Sequence, residues 1–343
     1  MIETVTPGFL TLIQDEGRWG YQAYGMPVAG AMDRHAYRVA NLLAGNRRGA
    51  AALEMTMQGG TFKFSRKCLV SVCGADMQVR VNGVMVPNWA AFYVPAGGVL
   101  SFDAVLNGCR TYLAVHGGFA AQPVLGSRST YTRANVGGKD GRPLKGGDVF
   151  STGEDVSCAA IPLSLPDQFA RRYDDQEITL RVILGPQDDM FTSAGVRAFL
   201  EGTYTISHEA DRMGYRLEGP RIEHVDKADI ISDALPLGAI QVPAHGMPIV
   251  MTADRQTTGG YAKIATVIGP DLSLLAQGKP GDTVRFSRCS DDEAVEALRR
   301  EERYYEEIQS FLARRQSSAP NALRAFNVFV DGAYYDVRIQ EEL

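Results

Sequence analysis

The amino-acid sequence predicts a mainly β protein with two β-domains in tandem and only a few helices. Apolar and polar residues alternate in short runs, as they do in strands that bury one face. Glycine and proline, with 36 and 16 residues respectively, lie between these runs and provide tight turns. These two patterns favour many short strands over long helices.

An internal repeat indicates that the two β-domains are related. Similar segments recur in the same order, about 180 to 195 residues apart. One match would carry no weight, whereas four in the same order suggest duplication, with chance similarity as the alternative. The paired segments are 18–25 with 212–219, 52–59 with 239–246, 75–76 with 253–254, and 97–102 with 281–286.

The first β-domain is predicted to contain one helix and a long loop. Asp33 is a suitable N-cap for this helix, and Gly45 is suitable for the position after its last turn. Strand spacing follows, and the dipeptide at 82–83, Asn-Gly, predicts a hairpin. Residues 126–150 are rich in glycine and polar side chains, which predicts a long loop of the kind that often carries function.

A second helix is predicted near the C-terminus. Ser290 and Glu293 form a capping-box pattern, and apolar residues follow at helical spacing, at Val295, Leu298, Tyr305, Ile308 and Leu312. Beyond it, Asp331 and Gly332 predict a hairpin turn. The predicted order is a first β-domain with the glycine-rich loop (1–175), a second β-domain (176–290), a C-terminal helix (291–316), and a linker with a hairpin tail (317–343).

The composition excludes several classes of protein. The 343 residues include 35 Lys and Arg against 40 Asp and Glu, and this net charge of −5 disfavours nucleic acid as a partner. No apolar run approaches the roughly 18 residues that cross a bilayer, and the N-terminal segment does not have the pattern of a signal peptide. Five cysteines without a C-x-x-C pair predict a reduced, cytoplasmic protein.

Common signatures of nucleotide and metal sites are absent from the sequence. It contains no G-x-x-x-x-G-K-[ST] loop for ATP and no G-x-S-x-G elbow. It also contains no H-E-x-x-H motif, and its five histidines are far apart. We therefore predict no metal site and no ATP site of the P-loop type.

The densest polar segment, residues 253–263, is the leading candidate for the functional site. It combines charged, amide and hydroxyl groups with paired glycines, a set that can hold a small anion. Its predicted catalytic residues are Asp254, Arg255 and Lys263. Its predicted substrate-binding residues are Gln256, Thr257, Thr258, Gly259, Gly260 and Tyr261. A solvated turn capped by the aspartate is the structural alternative.

Four residues outside this segment are further candidates for substrate binding. Arg212 and Arg128 lie in polar segments, and Asp15 belongs to the segment that also contains the counterpart of Arg212 in the repeat. A surface salt bridge or simple solvation is the alternative for these three residues. Glu54 lies within an apolar strand, where a carboxylate should be paired or functional.

Several of these segments together resemble one known family. They are IQDEGRWGYQAYGMPVAGAMD, RVANLLAGN, GSRST, DRMGYRLEG, IQVPAHGMPIV and DRQTTGGYAKIA, and they resemble the carboxyltransferase A/B-subdomain family over about residues 1–310. The resemblance implies two cyclophilin-like β-barrels with a ligand cleft between them. The residues that match the family motifs are Asp254, Gln256, Thr257, Thr258, Tyr261, Arg212, Arg128 and Asp15.

The resemblance also implies a reaction and partners. It implies the C component of an ATP-dependent 5-oxoprolinase, inactive alone, which acts with B and A subunits to open 5-oxoproline to glutamate. One alternative is a biotin-dependent carboxyltransferase component that moves a carboxyl group from carboxybiotin to urea or a related amide. The other is a binding module that antagonises a kinase-inhibitor partner. Each enzyme reading implies a small amide or lactam substrate and leaves the general base open.

The C-terminal segment indicates whether biotin could be attached to this chain. FNVFVDGAYYDVRIQEEL is similar to the opening hairpin of a biotinyl carrier domain, but the sequence contains no Ala-Met-Lys-Met motif. No cofactor is therefore expected to be bound covalently, and ATP or carboxybiotin would be supplied through the partners. A plain C-terminal hairpin is the alternative for this segment.

Overall fold

Short strands joined by tight turns dominate the computed structural model, which confirms the predicted mainly β architecture. The structure describes residues 1–154, 156–158, 160–174, 177–317, 323–330 and 333–340. The predicted turn at Asp331 and Gly332 and most of the predicted linker, residues 318–322, lie outside the described residues.

The strands of the first half form two sheets around a common core. The two six-stranded sheets have the orders β11-β1-β4-β9-β6-β7 and β12-β8-β5-β10-β3-β2, with the bounds given below. Phe62 from one sheet meets Val72 and Leu113 from the other in this core. The strands are β1 (Ile2–Thr6), β2 (Leu10–Gln14), β3 (Ala52–Thr56), β4 (Thr61–Phe64), β5 (Cys68–Asp76), β6 (Arg80–Val81), β7 (Val84–Met85), β8 (Ala90–Val94), β9 (Val99–Ser101), β10 (Asn107–Val115), β11 (Val149–Phe150) and β12 (Leu163–Ser164).

The second half forms a closed barrel. Its strands are β13 (Glu177–Leu184), β14 (Thr203–Ile206), β15 (Gly214–Glu218), β16 (Asp229–Ala234), β17 (Ala239–Gln241), β18 (Ile249–Met251), β19 (Thr258–Tyr261), β20 (Lys263–Val267) and β21 (Thr283–Arg288). Seven of them close in the order β13-β20-β17-β18-β15-β14-β21, because β13 and β21 pair in parallel. The other two, β16 and β19, form a separate antiparallel ribbon. After the barrel, β22 (Leu323–Val330) and β23 (Ala333–Gln340) pair as the predicted hairpin.

The helices of the described residues are α1 (Arg34–Leu43), α2 (Ser193–Glu201), α3 (Leu272–Leu275) and α4 (Asp291–Ser317). The sequence predicts α1 and α4, whereas α2 and the short α3 were not predicted. Asp33 caps α1 as expected, because its side chain accepts a hydrogen bond of 2.9 Å from the Ala36 N–H. None of the described helices is long and apolar enough to cross a membrane.

Two of the predicted turn and capping patterns are present in the structure. Asn82 and Gly83 have φ values of 51° and 83°, the left-handed conformation that a tight hairpin turn of this type requires at both positions. The Ser290 N–H donates to the Glu293 carboxylate at 2.8 Å, and the Glu293 N–H donates to the Ser290 hydroxyl at 3.2 Å. This reciprocal pair fixes the start of α4.

Helix α4 follows the barrel but packs back onto the first half. Tyr305 and Ile308 are buried in one apolar cluster with Tyr37 and Trp89, and the Tyr305 ring lies 5.6 Å from the His35 ring of α1. The predicted apolar face was partly wrong, because Val295 and Leu298 are 43% and 48% exposed. Small residues of the first turns, Ala294 and Ala297, are buried there instead, against the end of the barrel.

The two halves share an extensive interface beside α1. Met32 of the first half belongs to the apolar core of the barrel. The Gln277 amide donates to the Asp33 carboxylate at 2.7 Å, and the Arg110 guanidinium donates to the Ala276 carbonyl at 2.5 Å. Polar residues at this interface are therefore held by partners from both halves.

Candidate functional site

The polar segment predicted from the sequence forms a turn between β18 and β19, at the interface of the two halves. The Asp254 N–H and the Thr252 hydroxyl both donate to the Arg212 carbonyl, at 2.8 and 2.7 Å. From the first half, the Ala29 N–H donates to the Ala253 carbonyl at 3.1 Å. We call residues 252–257 the interface turn. Its backbone is fixed by both halves of the molecule.

A buried ion network lies on one side of the interface turn. The Arg212 guanidinium binds both Asp254 oxygens, at 3.0 and 2.8 Å, and donates to Glu54 Oε1 at 2.5 Å. It also donates to the Gly30 carbonyl at 2.7 Å. The structure therefore brings together three predicted site residues from distant parts of the sequence, and the expectation that Glu54 is paired is confirmed.

The second Glu54 oxygen completes the network. It accepts hydrogen bonds from the Tyr112 hydroxyl at 2.7 Å and from the Met32 N–H at 2.8 Å. Burial acts to lower the pKa of Arg212, but the Asp254 and Glu54 carboxylates outweigh it and the net shift is upward. Burial raises the pKa of Asp254 although Arg212 opposes this shift. Arg212 therefore pairs with both buried carboxylates, and the charge of Arg110 adds a favourable interaction with Glu54.

A cavity of about 300 Å³ lies on the other side of the interface turn. We call it the interface cavity. It is bounded by the first half and by the segment that follows β16, and its lining residues are Gln22, Pro27, Val28, Ala234, Leu235, Pro236, Arg255, Gln256 and Thr257. The walls are mostly apolar, while the interface turn provides a cation, a carboxamide and a hydroxyl. This combination is typical of a small-molecule site.

Arg255 is the principal charged group of the interface cavity. Its side chain is buried, and it donates to the carbonyls of Leu235 at 2.9 Å and Thr252 at 3.3 Å. Among the described residues, no carboxylate pairs with this guanidinium. Burial lowers the pKa of Arg255 to about 10, with a smaller contribution from Arg34, so that it remains cationic at neutral pH. A buried cation without a counter-ion is poised to bind an anion.

Gln256 supplies a polar group of the cavity wall that has no partner among the described residues. Its carbonyl oxygen is buried and has no hydrogen-bond partner among the described residues. Because a buried polar group is normally paired, this oxygen is available to accept a hydrogen bond from a ligand. The interface cavity therefore presents a positive group and an acceptor on adjacent residues.

Most of the remaining residues of the predicted segment belong to the β16–β19 ribbon. Thr258 to Tyr261 form strand β19, and Lys263 begins the next strand. The Lys263 ammonium is buried and pairs with the Asp233 carboxylate at 2.8 Å. Gly259 packs against the Gln241 side chain, whereas Gly260 has no close contact that requires a glycine. The catalytic roles predicted for Asp254 and Lys263 remain predictions, since each group is engaged in an ion pair.

Asp15, which directly follows β2, binds Arg128 and its neighbours in the long loop and does not line the cavity. Asp15 Oδ1 accepts hydrogen bonds from the hydroxyls of Ser127 and Ser129, at 2.6 and 2.5 Å, and from the Gly17 N–H at 2.8 Å. Its other oxygen accepts from the Arg128 N–H at 2.5 Å. The Asp15 carboxylate thus organises this part of the loop, and its predicted role in substrate binding remains a prediction.

Substituting Asp15 by asparagine is expected to loosen the loop. The amide group would face at least one backbone N–H that cannot rotate away, so we expect the free energy of unfolding to fall by about 1–3 kcal/mol. Urea denaturation measures this change, and trypsin should cleave faster after Arg128. Asp140→Asn is the control, because that side chain lies in the same loop and is 71% exposed. Equal stability of the two variants would contradict this role for Asp15.

Two buried arginines were not among the predicted site residues. Arg18 is fully buried, donates to the Val124 and Ser129 carbonyls, and has one terminal nitrogen without a partner among the described residues. In the sequence, only the internal repeat, which places Arg18 opposite Arg212, indicated this residue. Arg110 lies in β10 and donates to the Tyr215 hydroxyl at 2.6 Å. A charge within an apolar strand, the signal that identified Glu54, would also have identified Arg110.

The described residues contain no group of three or more His, Cys, Asp or Glu side chains arranged to hold a metal ion.

Comparison with known proteins identifies the family. Residues 24–288 match the family described as carboxyltransferase domain, subdomain A and B. The chain belongs to the carboxyltransferase A and B subdomain family. The resemblance read from the sequence is therefore confirmed.

Relatives of the carboxyltransferase A and B subdomain family include both bacterial and fungal proteins. The chain is 36% identical over 313 residues to the C component of 5-oxoprolinase from Escherichia coli K12, covering 90% of the chain and 97% of that component. It is 31% identical over 301 residues to urea amidolyase of Saccharomyces cerevisiae, covering 83% of the chain but 16% of that protein.

A solved structure supports the same assignment. The crystal structure of urea amidolyase from K. lactis matches with a TM-score of 0.83 and 28% identity, over 88% of the chain and 19% of that protein. The family fold therefore occurs both as a separate polypeptide, at nearly full length, and as a small part of a much larger enzyme.

Proposed function

We propose that this chain is the C component of an ATP-dependent 5-oxoprolinase and that the interface cavity binds 5-oxoproline. The relationship to the E. coli component, which extends over 97% of that protein, supports the assignment. The observation that carries it is the buried Arg255 guanidinium, which has no carboxylate partner among the described residues and lines a cavity of about 300 Å³.

The chemistry of 5-oxoproline matches the groups that line the cavity. The molecule is a five-membered lactam that carries one carboxylate. Arg255 would bind the carboxylate, and the Gln256 carbonyl oxygen would accept a hydrogen bond from the lactam N–H. The apolar side chains of Pro27, Val28 and Leu235 would enclose the ring. Thr257 adds a hydroxyl that can donate to the lactam carbonyl.

The ion networks beside the cavity would position these groups. Arg212, Asp254 and Glu54 fix one end of the interface turn, and the Lys263–Asp233 pair fixes the end of β19. Small displacements of binding groups reduce rates strongly, so this rigidity is part of the proposed function. We therefore assign Asp254 and Lys263 positioning roles in the proposed reaction.

The reaction needs components that other subunits would provide. Opening the ring breaks the lactam C–N bond, places an oxygen from water in the new carboxylate, and leaves the nitrogen as the amine of glutamate. ATP hydrolysis to ADP and phosphate would drive this step. Because the sequence has no P-loop motif, we propose that companion A and B subunits handle ATP and that this chain is inactive alone. We place the complex in the cytoplasm, consistent with five unpaired cysteines.

Carboxyl transfer to urea is the second candidate. It is favoured by the relationship to urea amidolyases and by the TM-score of 0.83. Urea is also a small amide, and its N–H groups could donate to Gln256. Carboxybiotin would then come from a partner domain.

Reconstitution distinguishes the two reactions. The chain is mixed with its A and B companions and ATP, and release of glutamate from 5-oxoproline is measured. We expect turnover that requires all components. Avidin-sensitive carboxylation of urea without glutamate release would instead identify the carboxyltransferase. Stable binding to the B companion without either reaction would favour the third possibility, a regulatory binding module.

A further inference from the structure

A second cavity, of about 190 Å³, lies between α1, α3 and α4 and is bounded by the barrel. We call it the helix cavity. It includes Thr252 and Ala253 of the interface turn, whereas the interface cavity includes Arg255 to Thr257. Met32, Leu237 and Leu298 give it an apolar wall. The two cavities thus share one rigid turn but use different parts of it.

Arg34 is the cation of the helix cavity that has no counter-ion. Two other arginines in its wall are paired, Arg38 with Glu16 at 2.8 Å and Arg48 with Glu302 at 2.7 Å. Among the described residues, no carboxylate lies within ion-pairing distance of Arg34. Its guanidinium stacks over the Trp19 ring at 5.1 Å, and burial lowers its pKa. Glu16 and Glu301 attract this guanidinium only from beyond ion-pairing distance, so an anionic ligand could pair with it directly.

Glu301 provides a negative group in the same cavity. It extends from α4 and its side chain is only 11% exposed. The nearest cation, the Arg38 guanidinium, is 3.8 Å away, which exceeds hydrogen-bonding distance. Tyr305 also hydrogen-bonds this carboxylate, and burial raises the pKa of Glu301. Because a carboxylate has about four acceptor sites, Glu301 retains acceptor capacity toward a ligand, and the cavity presents both a cation and an acidic group.

We propose that the helix cavity is a second ligand site, which takes a small amino-acid zwitterion. Arg34 binds a carboxylate of the ligand, Glu301 binds its ammonium group, and Leu237 and Leu298 contact its carbon chain. Glutamate has these groups. Under the proposed function glutamate is the product of the reaction, and its binding in the helix cavity would then act on the interface cavity through the interface turn that both cavities share. Binding itself does not depend on the proposed reaction.

Calorimetric titration of the full-length chain with L-glutamate tests the site without ATP or companion subunits. We expect saturable binding that weakens at least tenfold in Arg34→Met, which removes the cation, and in Leu298→Trp, which fills the cavity. Arg47→Met is the control, because Arg47 is exposed and outside the cavity lining. Unchanged binding in both cavity variants, or no saturable binding, would overturn the proposal.

Two further measurements separate this site from the interface cavity and test Glu301. Arg255→Met should leave L-glutamate binding unchanged, and loss of binding in that variant alone would place the ligand in the interface cavity. Glutarate has the same carboxylates but no ammonium group, so it should bind at least tenfold more weakly than glutamate. Glu301→Gln should reduce this discrimination, even if the other variants are unstable. Equal binding of glutarate and glutamate by the unmodified chain would refute the role of Glu301.

Discussion

Replacing Arg255 with methionine is expected to reduce 5-oxoproline turnover by the reconstituted complex about 10²- to 10³-fold. In the proposed complex Arg255 forms a buried charge pair with the substrate carboxylate. Removing one partner of such a pair costs about 2–5 kcal/mol of binding free energy, and each 1.4 kcal/mol corresponds to a tenfold change in affinity. Methionine retains the unbranched apolar part of the side chain but cannot bind a carboxylate. Steady-state kinetics should show the loss, and Arg255→Lys should restore part of it.

Stability distinguishes this result from a folding defect. Arg255 has no ion pair to lose, and removal of an uncompensated buried charge offsets the loss of its hydrogen bonds to the Leu235 and Thr252 carbonyls, so the free energy of unfolding should change by less than about 1 kcal/mol. Arg197→Met is the matched control, since Arg197 is exposed on α2 of the same half. Full activity of Arg255→Met would exclude the interface cavity as the substrate site.

Replacing Arg212 with methionine is expected to lower the free energy of unfolding by about 3–5 kcal/mol, more than any other substitution proposed for this protein. It leaves Glu54 and Asp254 buried without their shared cation, and an uncompensated buried charge is costly. Urea denaturation measures this loss. Burial already raises the pKa of Asp254, and removal of Arg212 takes away the group that opposes this shift. A carboxyl whose pKa is higher in the folded state favours folding at low pH, so the deficit should be smaller at pH 5 than at pH 8.

The control for this experiment lies four residues further along the chain. Arg216 pairs with Glu209 at 3.3 Å, but the two side chains are 52% and 77% exposed. Arg216→Met should therefore cost less than about 1 kcal/mol at either pH. A similar loss for both arginine variants would show that burial of the Arg212 network does not determine its contribution.

The sequence was informative where a local pattern determines the structure. Asp33, the Ser290 capping box and the Asn82-Gly83 turn depend on neighbouring residues, and all three are present as predicted. Helix α3 has four residues, too few for apolar periodicity to reveal it. The correspondence between the two halves remains a prediction, because one half forms two sheets and the other a closed barrel.

The site was predictable in composition but not in arrangement. Asp254 and Arg255 are adjacent, yet one enters a buried ion network and the other lines a cavity. An irregular turn has no periodicity that assigns side chains to faces, so this division could not be read from spacing. Pairing between Arg212 and Glu54 joins residues from different halves and depends on how those halves pack.

The return of α4 to the first half has a consequence for protein synthesis. The apolar cluster that contains Tyr37 and Trp89 of the first half is completed by Tyr305 and Ile308, which the ribosome adds more than a hundred residues after the end of the predicted first domain. At roughly 5–20 residues per second, this apolar face stays open for on the order of ten seconds in each nascent chain. The first half therefore emerges with a surface that chaperones can bind, and only translation of α4 closes it.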